Sequence, residues 1–372
     1  MNHIVSISPP DTEIDDADLH SHRVSTVPVL VIFPHNQCDC HCVMCDIWKI
    51  RDAEELSVAD LERQMDSFRD LGVRWIVFSG GEPQKNSRLP ALARILRDEG
   101  IRVTLLTAGL LLESQAETVA ANVDDVIVSL DGPPVLHDRI RRVPKAFERL
   151  ERGVKELRHL RPDIAISGRC TVQKLNHCSL GATASSARDI GLNSISFLAA
   201  DISSSAFNRP SVSPAELQDK IALNGDEVEA LEREIESLIT EHSLGLASGF
   251  IAESPAKLRR IVLHFRACLG QMKPVAPRCN APWVSAVVEA GGDVRPCFFH
   301  RPLGNTRDRS LSEILNSREA LQFRRNLDVA ADPICQRCVC SLHIPNPEKF
   351  NAMPASDSDR TGHYQGKERP NG

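Results

Sequence analysis

Aromatic residues and long apolar runs are scarce in this sequence. Aromatic side chains make up 4% of the 372 residues, with a single tyrosine, so a stacking platform for single-stranded nucleic acid is not expected. The net charge of −6 also argues against a nucleic-acid backbone as the main partner. Apolar runs such as 27–33 fall far short of the roughly 20 residues that span a bilayer, so we expect no membrane association.

Cysteine, in contrast, is abundant, and the start of the chain does not resemble an export signal. Twelve cysteines are present, and residues 1–16 are polar and acidic rather than basic and apolar. We therefore expect a cytoplasmic protein. In that reducing compartment, so many thiols indicate metal ligation or redox chemistry more than disulfides.

Apolar strands alternate with helices through the first half of the chain. Short apolar runs rich in β-branched residues predict six strands, at 27–33, 75–79, 101–106, 126–130, 164–172 and 195–198. Helical patterns separate them, as in parallel sheets joined by crossover helices. Six units are fewer than the eight of a closed barrel, so the predicted fold class is α/β, a partial (β/α)6 TIM-like barrel. Ligands of such sheets bind beyond the carboxyl ends of the strands.

The pattern changes after about residue 201, and it divides the chain into predicted segments. Charged amphipathic helices are expected at 227–242 and 255–269, cysteines return toward the C-terminus, and the last residues are polar. We expect a flexible N-terminal arm at 1–24, the barrel core at 25–225, a helical connector at 226–275, a small cysteine-rich domain at 276–345 and a disordered tail at 346–372.

A cluster of cysteines follows the first predicted strand. Cys38, Cys40, Cys42 and Cys45 lie within eight residues, and thiolates are the soft ligands that hold iron–sulfur clusters or zinc. Four thiols suit a structural zinc knuckle, but Cys38 and Cys40 are awkwardly close for one tetrahedral ion. The spacing Cys38-x3-Cys42-x2-Cys45 stands out instead, because three ligands leave one iron of a cubane open for a substrate or cofactor.

Two further motifs lie at predicted strand ends, in the sequence SGGEP at 79–83 and SLDG at 129–132. Together with the CxxxCxxC loop, in which Met44 precedes the last cysteine, they resemble the radical S-adenosylmethionine (SAM) superfamily over roughly residues 25–200. The resemblance implies that Cys38, Cys42 and Cys45 hold a [4Fe–4S] cluster whose fourth iron is chelated by SAM. A zinc knuckle would not predict the other two motifs at their places.

The resemblance also implies a set of SAM-binding residues: Met44, Gly80, Gly81, Glu82, Pro83, Thr107, Ser129, Arg169 and Leu198. Without a Cβ, the two glycines let the backbone approach the methionine end of SAM, with Glu82 in the neighbourhood of its amino group. Ser129 is expected to hydrogen-bond to the ribose or to the methionine moiety of SAM. Arg169 is a partner for the SAM carboxylate or a surface ion-pair residue, and Leu198 lies against the adenine or simply in the core. Ala108 replaces the asparagine that relatives carry after Thr107.

A second set of cysteines lies near the C-terminus. A hairpin turning at 291–292 would bring Cys279 and Cys297 together, and the CxxC pair Cys335 and Cys338 would supply two more thiolates. Four thiolates suit a cubane or a structural zinc ion, and spacing does not separate the two. The segment resembles the SPASM domain of radical SAM enzymes and its shortened twitch form, which implies a second, auxiliary [4Fe–4S] cluster. Whether Cys340 or Cys268 replaces one ligand is left open.

Cys268 raises a separate hypothesis. Some sugar-epimerising relatives use a free thiol to donate hydrogen to a substrate radical, and Cys268, near the end of a predicted helix, is a candidate for that catalytic role. Cys170 and Cys178, on or just after the fifth strand, are rivals. For each of the three, an inert thiol is the favoured explanation.

The resemblance implies an oxidoreductase or epimerase-type enzyme that cleaves SAM reductively to a 5′-deoxyadenosyl radical. We expect hydrogen abstraction from a small hydroxylated substrate, such as a sugar or aminocyclitol, leading to oxidation, epimerisation or dehydration. The arm ahead of the first strand is too short for a folded peptide-recognition domain. A peptide-modifying maturase is the alternative, and a non-enzymatic iron–sulfur or zinc regulator is disfavoured by the SGGEP segment. The expected partners are the substrate and a reductant such as flavodoxin or ferredoxin, with no nucleic acid and no membrane.

Overall fold

The structure is a computed structural model that describes residues 21–204, 206–209 and 219–350. Most of the predicted N-terminal arm (1–24) and of the predicted tail (346–372) lies outside the described residues. Within them, no helix is long and apolar enough to span a bilayer.

Six parallel strands form the predicted barrel core, and their order follows the chain. Their pairing is continuous from β6 to β1, with Val29 opposite Trp75 on β1 and β2 and Ser129 opposite Arg169 on β4 and β5. Within the part of the chain that the structure describes, the outer side of β6 pairs only through an isolated bridge between Ile195 and Ile251, so the barrel is open. The strands are β1 Val29–His35, β2 Trp75–Gly80, β3 Arg102–Thr107, β4 Asp125–Ser129, β5 Ala165–Val172 and β6 Ser194–Ala199.

Helices connect these strands and cover the sheet. The sequence predicts one helix over 57–71 capped by Ser57; Ser57 does form a capping box with Asp60, but two short helices follow it. The side chains of Leu92, Leu150 and Leu157 are fully buried against the sheet. The helices are α1 Val58–Glu62, α2 Met65–Asp70, α3 Leu89–Asp98, α4 Ala116–Asn122, α5 Pro134–Arg141, α6 Ala146–Leu160 and α7 Leu180–Asp189.

The C-terminal part begins with the predicted helical connector and then rejoins the sheet. The connector helices are α8 Gly225–Glu241, α9 Ser243–Ala247 and α10 Pro255–Cys268. Asn224 caps α8, and Ser254 caps α10. The remaining elements are α11 Ala281–Val284, β7 Ser285–Val288, β8 Asp293–Arg295, β9 Gly304–Asn305, α12 Leu311–Leu315, α13 Arg318–Asn326 and α14 Pro333–Gln336.

Strand β7 pairs in parallel with β1, with Val29 opposite Ser285, and β8 and β9 continue antiparallel. The sheet therefore has nine strands in the order β6-β5-β4-β3-β2-β1-β7-β8-β9. The sequence predicts a hairpin here but not its attachment to β1. Because β7 runs parallel to β1, its carboxyl end lies at the edge of the sheet where β1 leads into the cysteine loop.

Candidate active site

The cysteine loop follows β1 and is held by the end of α5. The backbone amides of His41 and Val43 donate to the carbonyls of Arg141 and Ile140, at 3.1 and 3.0 Å. These carbonyls belong to the last turn of a helix, where acceptors lack intrahelical partners. The loop conformation therefore depends on a segment about 100 residues farther along the chain.

The three thiols of the CxxxCxxC spacing line one cavity. Its volume is about 220 Å³, and Cys38, Cys42, Cys45 and Met44 all contribute to its wall. Burial raises the pKa of Cys45 to about 12. Cys40 does not line the cavity and is 2% exposed. Its thiol hydrogen-bonds to Cys42, which lowers the pKa of Cys42 to about 6.

Five other predicted SAM-binding residues line the same cavity: Gly80, Gly81, Ser129, Arg169 and Leu198. Alternation along β5 explains part of this set, because Arg169 and Thr171 both face the cavity whereas Cys170 between them is fully buried. Pairing brings Ser129 beside Arg169 and Leu198 beside Thr171. The Nε of Arg169 is buried and has no hydrogen-bond partner among the described residues.

Gly80 and Gly81 are required by the cysteine loop itself. Gly80 has φ of +104°, and a methyl group on it would lie 2.6 Å from Cγ of Phe33. A methyl group on Gly81 would lie 2.2 Å from the carbonyl oxygen of Gln37, the residue before Cys38. The amide of Glu82 donates to that same carbonyl at 2.8 Å. The glycine pair thus lets the SGGEP turn pack directly on the chain that leads into the first thiol.

Glu82, Pro83 and Thr107 lie behind the cavity wall rather than on it. The carboxylate of Glu82 accepts from the amide of Ala108 at 2.9 Å and contacts the hydroxyl of Thr107 at 2.9 and 3.0 Å. Burial raises the pKa of Glu82 to about 7. These residues join the end of β2 to the end of β3 and support the wall from beneath.

Several cavity residues were not found by sequence reasoning: Arg141, Thr171, Asp201, Phe207, Arg209, Phe298, Phe299, Val339 and Cys340. Arg209 and Asp201 form a buried ion pair at 3.2 Å. Arg141 is one of three arginines within 139–142, and no periodicity distinguishes the one that faces the cysteine loop. Phe298 and Phe299 follow Cys297 directly, so their position in the cavity depends on the attachment of β7 to β1.

A second cavity of about 420 Å³ adjoins the first. The two share Ser79, Gly80, Gly81 and the rings of Phe298 and Phe299. The outer wall of the second cavity is formed by polar and apolar side chains of the cysteine loop and of the β7–β8 hairpin, among them Asn36, Ile50, Glu54, Val287, Glu289 and Arg295. The space therefore lies between the barrel and the C-terminal domain.

The second cysteine set also comes together. Cys279 and Cys297 lie close enough to Cys335 and Cys338 to help raise the pKa values of those two thiols, after the larger effect of burial. The sulfur of Cys279 accepts from the amide of Ala281 at 3.5 Å. Four cysteines gathered in one half-buried site suit a metal centre, which binds their deprotonated sulfurs.

The spacing of the sulfurs bears on whether a site holds a cluster or a zinc ion. Four thiolates about 2.3 Å from one zinc lie about 3.8 Å apart, whereas a cubane distributes its ligands over separate irons. Among the described residues, the one trio of possible ligands with all donor atoms within 4.8 Å is His300, Asp332 and Cys335. In that trio, Asp332 already caps α14 by accepting from the amide of Cys335 at 2.8 Å. Among the described residues, no three cysteine sulfurs are as compact as the ligands of a mononuclear site, and cysteine is the ligand that iron–sulfur clusters use.

The candidate hydrogen-donating thiols lie elsewhere. Cys268 lines neither cavity, and its sulfur is 3.7 Å from Nε2 of His264. Burial raises its pKa to about 11. Cys170 is fully buried beneath the sheet, and Cys178 is exposed outside the cavities. Cys340 is the one further cysteine that lines the first cavity among the described residues.

Family models match both halves of the chain. The model of the radical SAM superfamily matches residues 32–184, and that of the iron–sulfur cluster-binding SPASM domain matches residues 279–339. Together, these two ranges contain every predicted cluster ligand. The radical SAM domain implies a [4Fe–4S] cluster and SAM as cofactors, and the SPASM domain implies additional iron–sulfur chemistry.

Curated relatives resemble the barrel over part of their length. An AdoMet-dependent heme synthase of Methanosarcina barkeri is 33% identical over 159 residues, which are 41% of this chain and 45% of the relative. A probable GTP 3′,8-cyclase of Methanococcus maripaludis is 33% identical over 119 residues, which are 31% of this chain and 37% of the relative. The chain thus matches less than half the length of these relatives.

Solved structures resemble nearly the whole fold. SuiB of Streptococcus suis bound to S-adenosylmethionine aligns with a TM-score of 0.61 and 17% identity over 90% of this chain and 79% of that one. The enzyme anSMEcpe with bound AdoMet and a peptide aligns with a TM-score of 0.59 and 18% identity over 83% of this chain and 87% of that one. The predicted fold class is confirmed, and the chain belongs to the radical SAM superfamily with a C-terminal SPASM-type domain.

Proposed function

We propose that this radical SAM enzyme abstracts hydrogen from a small hydroxylated substrate held in the 420 Å³ cavity. The observation that carries the proposal is the division of the cleft into two adjoining spaces. The first is lined by the three thiols and six of the nine predicted SAM-binding residues, and the second adjoins it. A volume of several hundred cubic ångströms is typical of sites for compact small molecules.

In this proposal Cys38, Cys42 and Cys45 hold the SAM-binding cluster, and Ser129 and Arg169 bind SAM. When bound, the cluster and SAM supply one-electron cleavage of SAM and a radical that removes hydrogen from an unactivated C–H bond. The buried, unpartnered Nε of Arg169 suits a carboxylate ligand. The apolar walls of the first cavity exclude water from the reaction.

The auxiliary cluster is proposed to bind to Cys279, Cys297, Cys335 and Cys338. Phe298 and Phe299 lie directly after Cys297 and line both cavities. The auxiliary site is therefore one residue from the substrate wall. That placement suits an electron acceptor for a substrate radical, which favours oxidation over a redox-neutral outcome.

The polar groups of the second cavity support a hydroxylated substrate. Glu289 and Arg295 form an ion pair at 2.5 Å on one wall, and the carboxylate of Glu54 faces the same space. Arg295 also donates to the carbonyl of His300 at 3.1 Å, so its guanidinium is fixed in position. Fixed carboxylates and guanidinium groups are suitable partners for hydroxyl and amino groups of a sugar or aminocyclitol.

A peptide substrate is the second candidate. SuiB has been solved with a bound precursor peptide, and anSMEcpe with bound peptides, and both share this fold. The second cavity would then receive one side chain of the peptide rather than the whole substrate. Both candidates use the same hydrogen-abstracting machinery, so they differ only in what occupies the 420 Å³ space.

The test uses reconstituted enzyme under anaerobic conditions with dithionite and SAM. We expect sugars or aminocyclitols to increase formation of 5′-deoxyadenosine over the substrate-free rate. Ile50→Trp fills the second cavity without adding to the first and should abolish that increase while substrate-free cleavage persists. Val135→Trp, at a position 84% exposed, is the matched control. A polyol panel without effect, together with a mass shift in a co-encoded peptide, would favour the second candidate.

A further inference from the structure

Arg141 is a cavity residue whose side chain donates a hydrogen bond to a predicted cluster ligand. It ends α5, it is 8% exposed, and its Nη1 donates to the sulfur of Cys42 at 3.5 Å. Hydrogen bonds to sulfur are normally this long because the sulfur atom is large. The contact joins residues 99 positions apart and is therefore a tertiary feature.

The guanidinium is fixed from its other end by Asp131. Nη2 of Arg141 forms an ion pair with Oδ2 of Asp131 at 2.6 Å, and that carboxylate is fully buried. The other oxygen of Asp131 accepts from the amide of Thr171 at 2.9 Å. The aspartate of the SLDG segment is thereby anchored to β5 and holds the arginine toward the cysteine loop.

The backbone of the same residue also holds the loop. The carbonyl of Arg141 accepts from the amide of His41, and the next residue, Arg142, has φ of +54°, so the chain turns away at once. Arg141 therefore contacts both the backbone and a sulfur of the cysteine loop. Its buried Nε has no hydrogen-bond partner among the described residues, although the side chain lines the first cavity.

We infer that Arg141 is a positioning residue that raises the reduction potential of the SAM-binding cluster by donating to Cys42 under the restraint of Asp131. The inference rests on the proposed assignment of Cys42 as a ligand. Reduction adds a negative charge to the cluster, and a permanently charged guanidinium in a low-dielectric site favours the more negative form. Hydrogen bonds to ligand sulfurs and net local charge are established determinants of cluster potentials.

The planar fork of arginine is essential to this arrangement. One nitrogen contacts Asp131 while another contacts Cys42, at 2.6 and 3.5 Å. A lysine ammonium is a single point and cannot reach both partners in the same way. Arg141→Lys therefore keeps the charge and loses one contact, whereas Arg141→Gln removes the charge.

The experiment is a redox titration of the anaerobically reconstituted enzyme followed by electron paramagnetic resonance. The signal that changes on addition of SAM identifies the SAM-binding cluster and separates it from the auxiliary one. We expect Arg141→Gln to lower the ratio of reduced to oxidised cluster at least tenfold at a fixed potential, which equals about 59 mV for one electron. Arg142→Gln, at the exposed neighbouring position, is the matched control and should leave the ratio unchanged.

Iron content is measured for each variant, because loss of Arg141 also removes a support of the loop. If Arg141→Gln retains iron and its ratio lies within twofold of the control, the inference is wrong. If that variant fails to load iron, Arg141→Lys decides: a threefold or larger fall in the ratio supports the inference, and an unchanged ratio overturns it. The titration requires no substrate turnover, so an inactive wild-type enzyme would contradict the proposed function without affecting this result.

Discussion

Replacing Gly81 with alanine tests why the SGGEP turn contains two glycines. The added methyl group would lie 2.2 Å from the carbonyl oxygen of Gln37, whereas real contacts of this kind are essentially never under 3.0 Å. One backbone must therefore move by about 1 Å, and overpacking of this kind costs about 1–3 kcal/mol. The hydrogen bond from Glu82 to Gln37, 2.8 Å long, would be strained by the same movement and is worth about 1 kcal/mol.

The displacement acts directly on the first predicted cluster ligand. Gln37 precedes Cys38, and metal–ligand distances tolerate shifts of only about 0.2 Å. We expect Gly81→Ala to lose the SAM-binding cluster and to retain the auxiliary one. Iron after anaerobic reconstitution should fall from about eight to about four per chain, and dithionite should no longer drive formation of 5′-deoxyadenosine.

Gly225→Ala is the matched control, because a methyl group there would meet only Nε2 of Gln271, at 3.8 Å. If Gly81 served only to let SAM approach, Gly81→Ala would bind iron normally and bind SAM weakly. Full iron content in Gly81→Ala, with or without SAM cleavage, would therefore refute the packing explanation.

Four further outcomes follow from the site. Burial raises the pKa of Glu82 to about 7, so its contribution to stability is present below about pH 4.5 and is lost as the pH rises through 7. Glu82→Gln should remove this dependence. Between pH 4.5 and 8 the free energy of unfolding of wild type should fall by about 3 kcal/mol relative to that of the variant, followed through the melting temperatures of both proteins across that range. Cys279→Ala should leave about four irons per chain with SAM cleavage intact, whereas about four irons in both wild type and this variant would assign the second site to zinc or to no metal. Arg169→Gln should weaken SAM binding at least tenfold by isothermal titration, and an unchanged affinity would make this arginine a structural residue. Cys268→Ala should leave solvent deuterium incorporation into product unchanged, because its thiol lines neither cavity; loss of incorporation would restore it as the hydrogen donor.

The barrel and its thiol loop could be predicted because their signals are local. Six buried strands appear as short apolar runs, and each of the six barrel strands observed lies within a few residues of its predicted place. Cys38, Cys42 and Cys45 lie within one short loop, so the chain connects the predicted ligands without any knowledge of tertiary contacts. The radical SAM and SPASM resemblances, each carried by such local motifs, are confirmed by the family models.

The environment of those motifs was decided only by tertiary structure. The contact of Arg141 with Cys42 spans 99 positions, and nothing in the sequence marks this arginine among its neighbours. A methyl group on Gly81 would meet the carbonyl oxygen of Gln37, which lies in the loop after β1 and far from Gly81 along the chain. The sequence alone therefore assigned this glycine only to the approach of SAM. The second cavity exists because β7 pairs with β1, joining residues more than 250 positions apart. Local spacing determines which atoms can bind a cluster, whereas long-range packing determines the charges, the walls and the space around it.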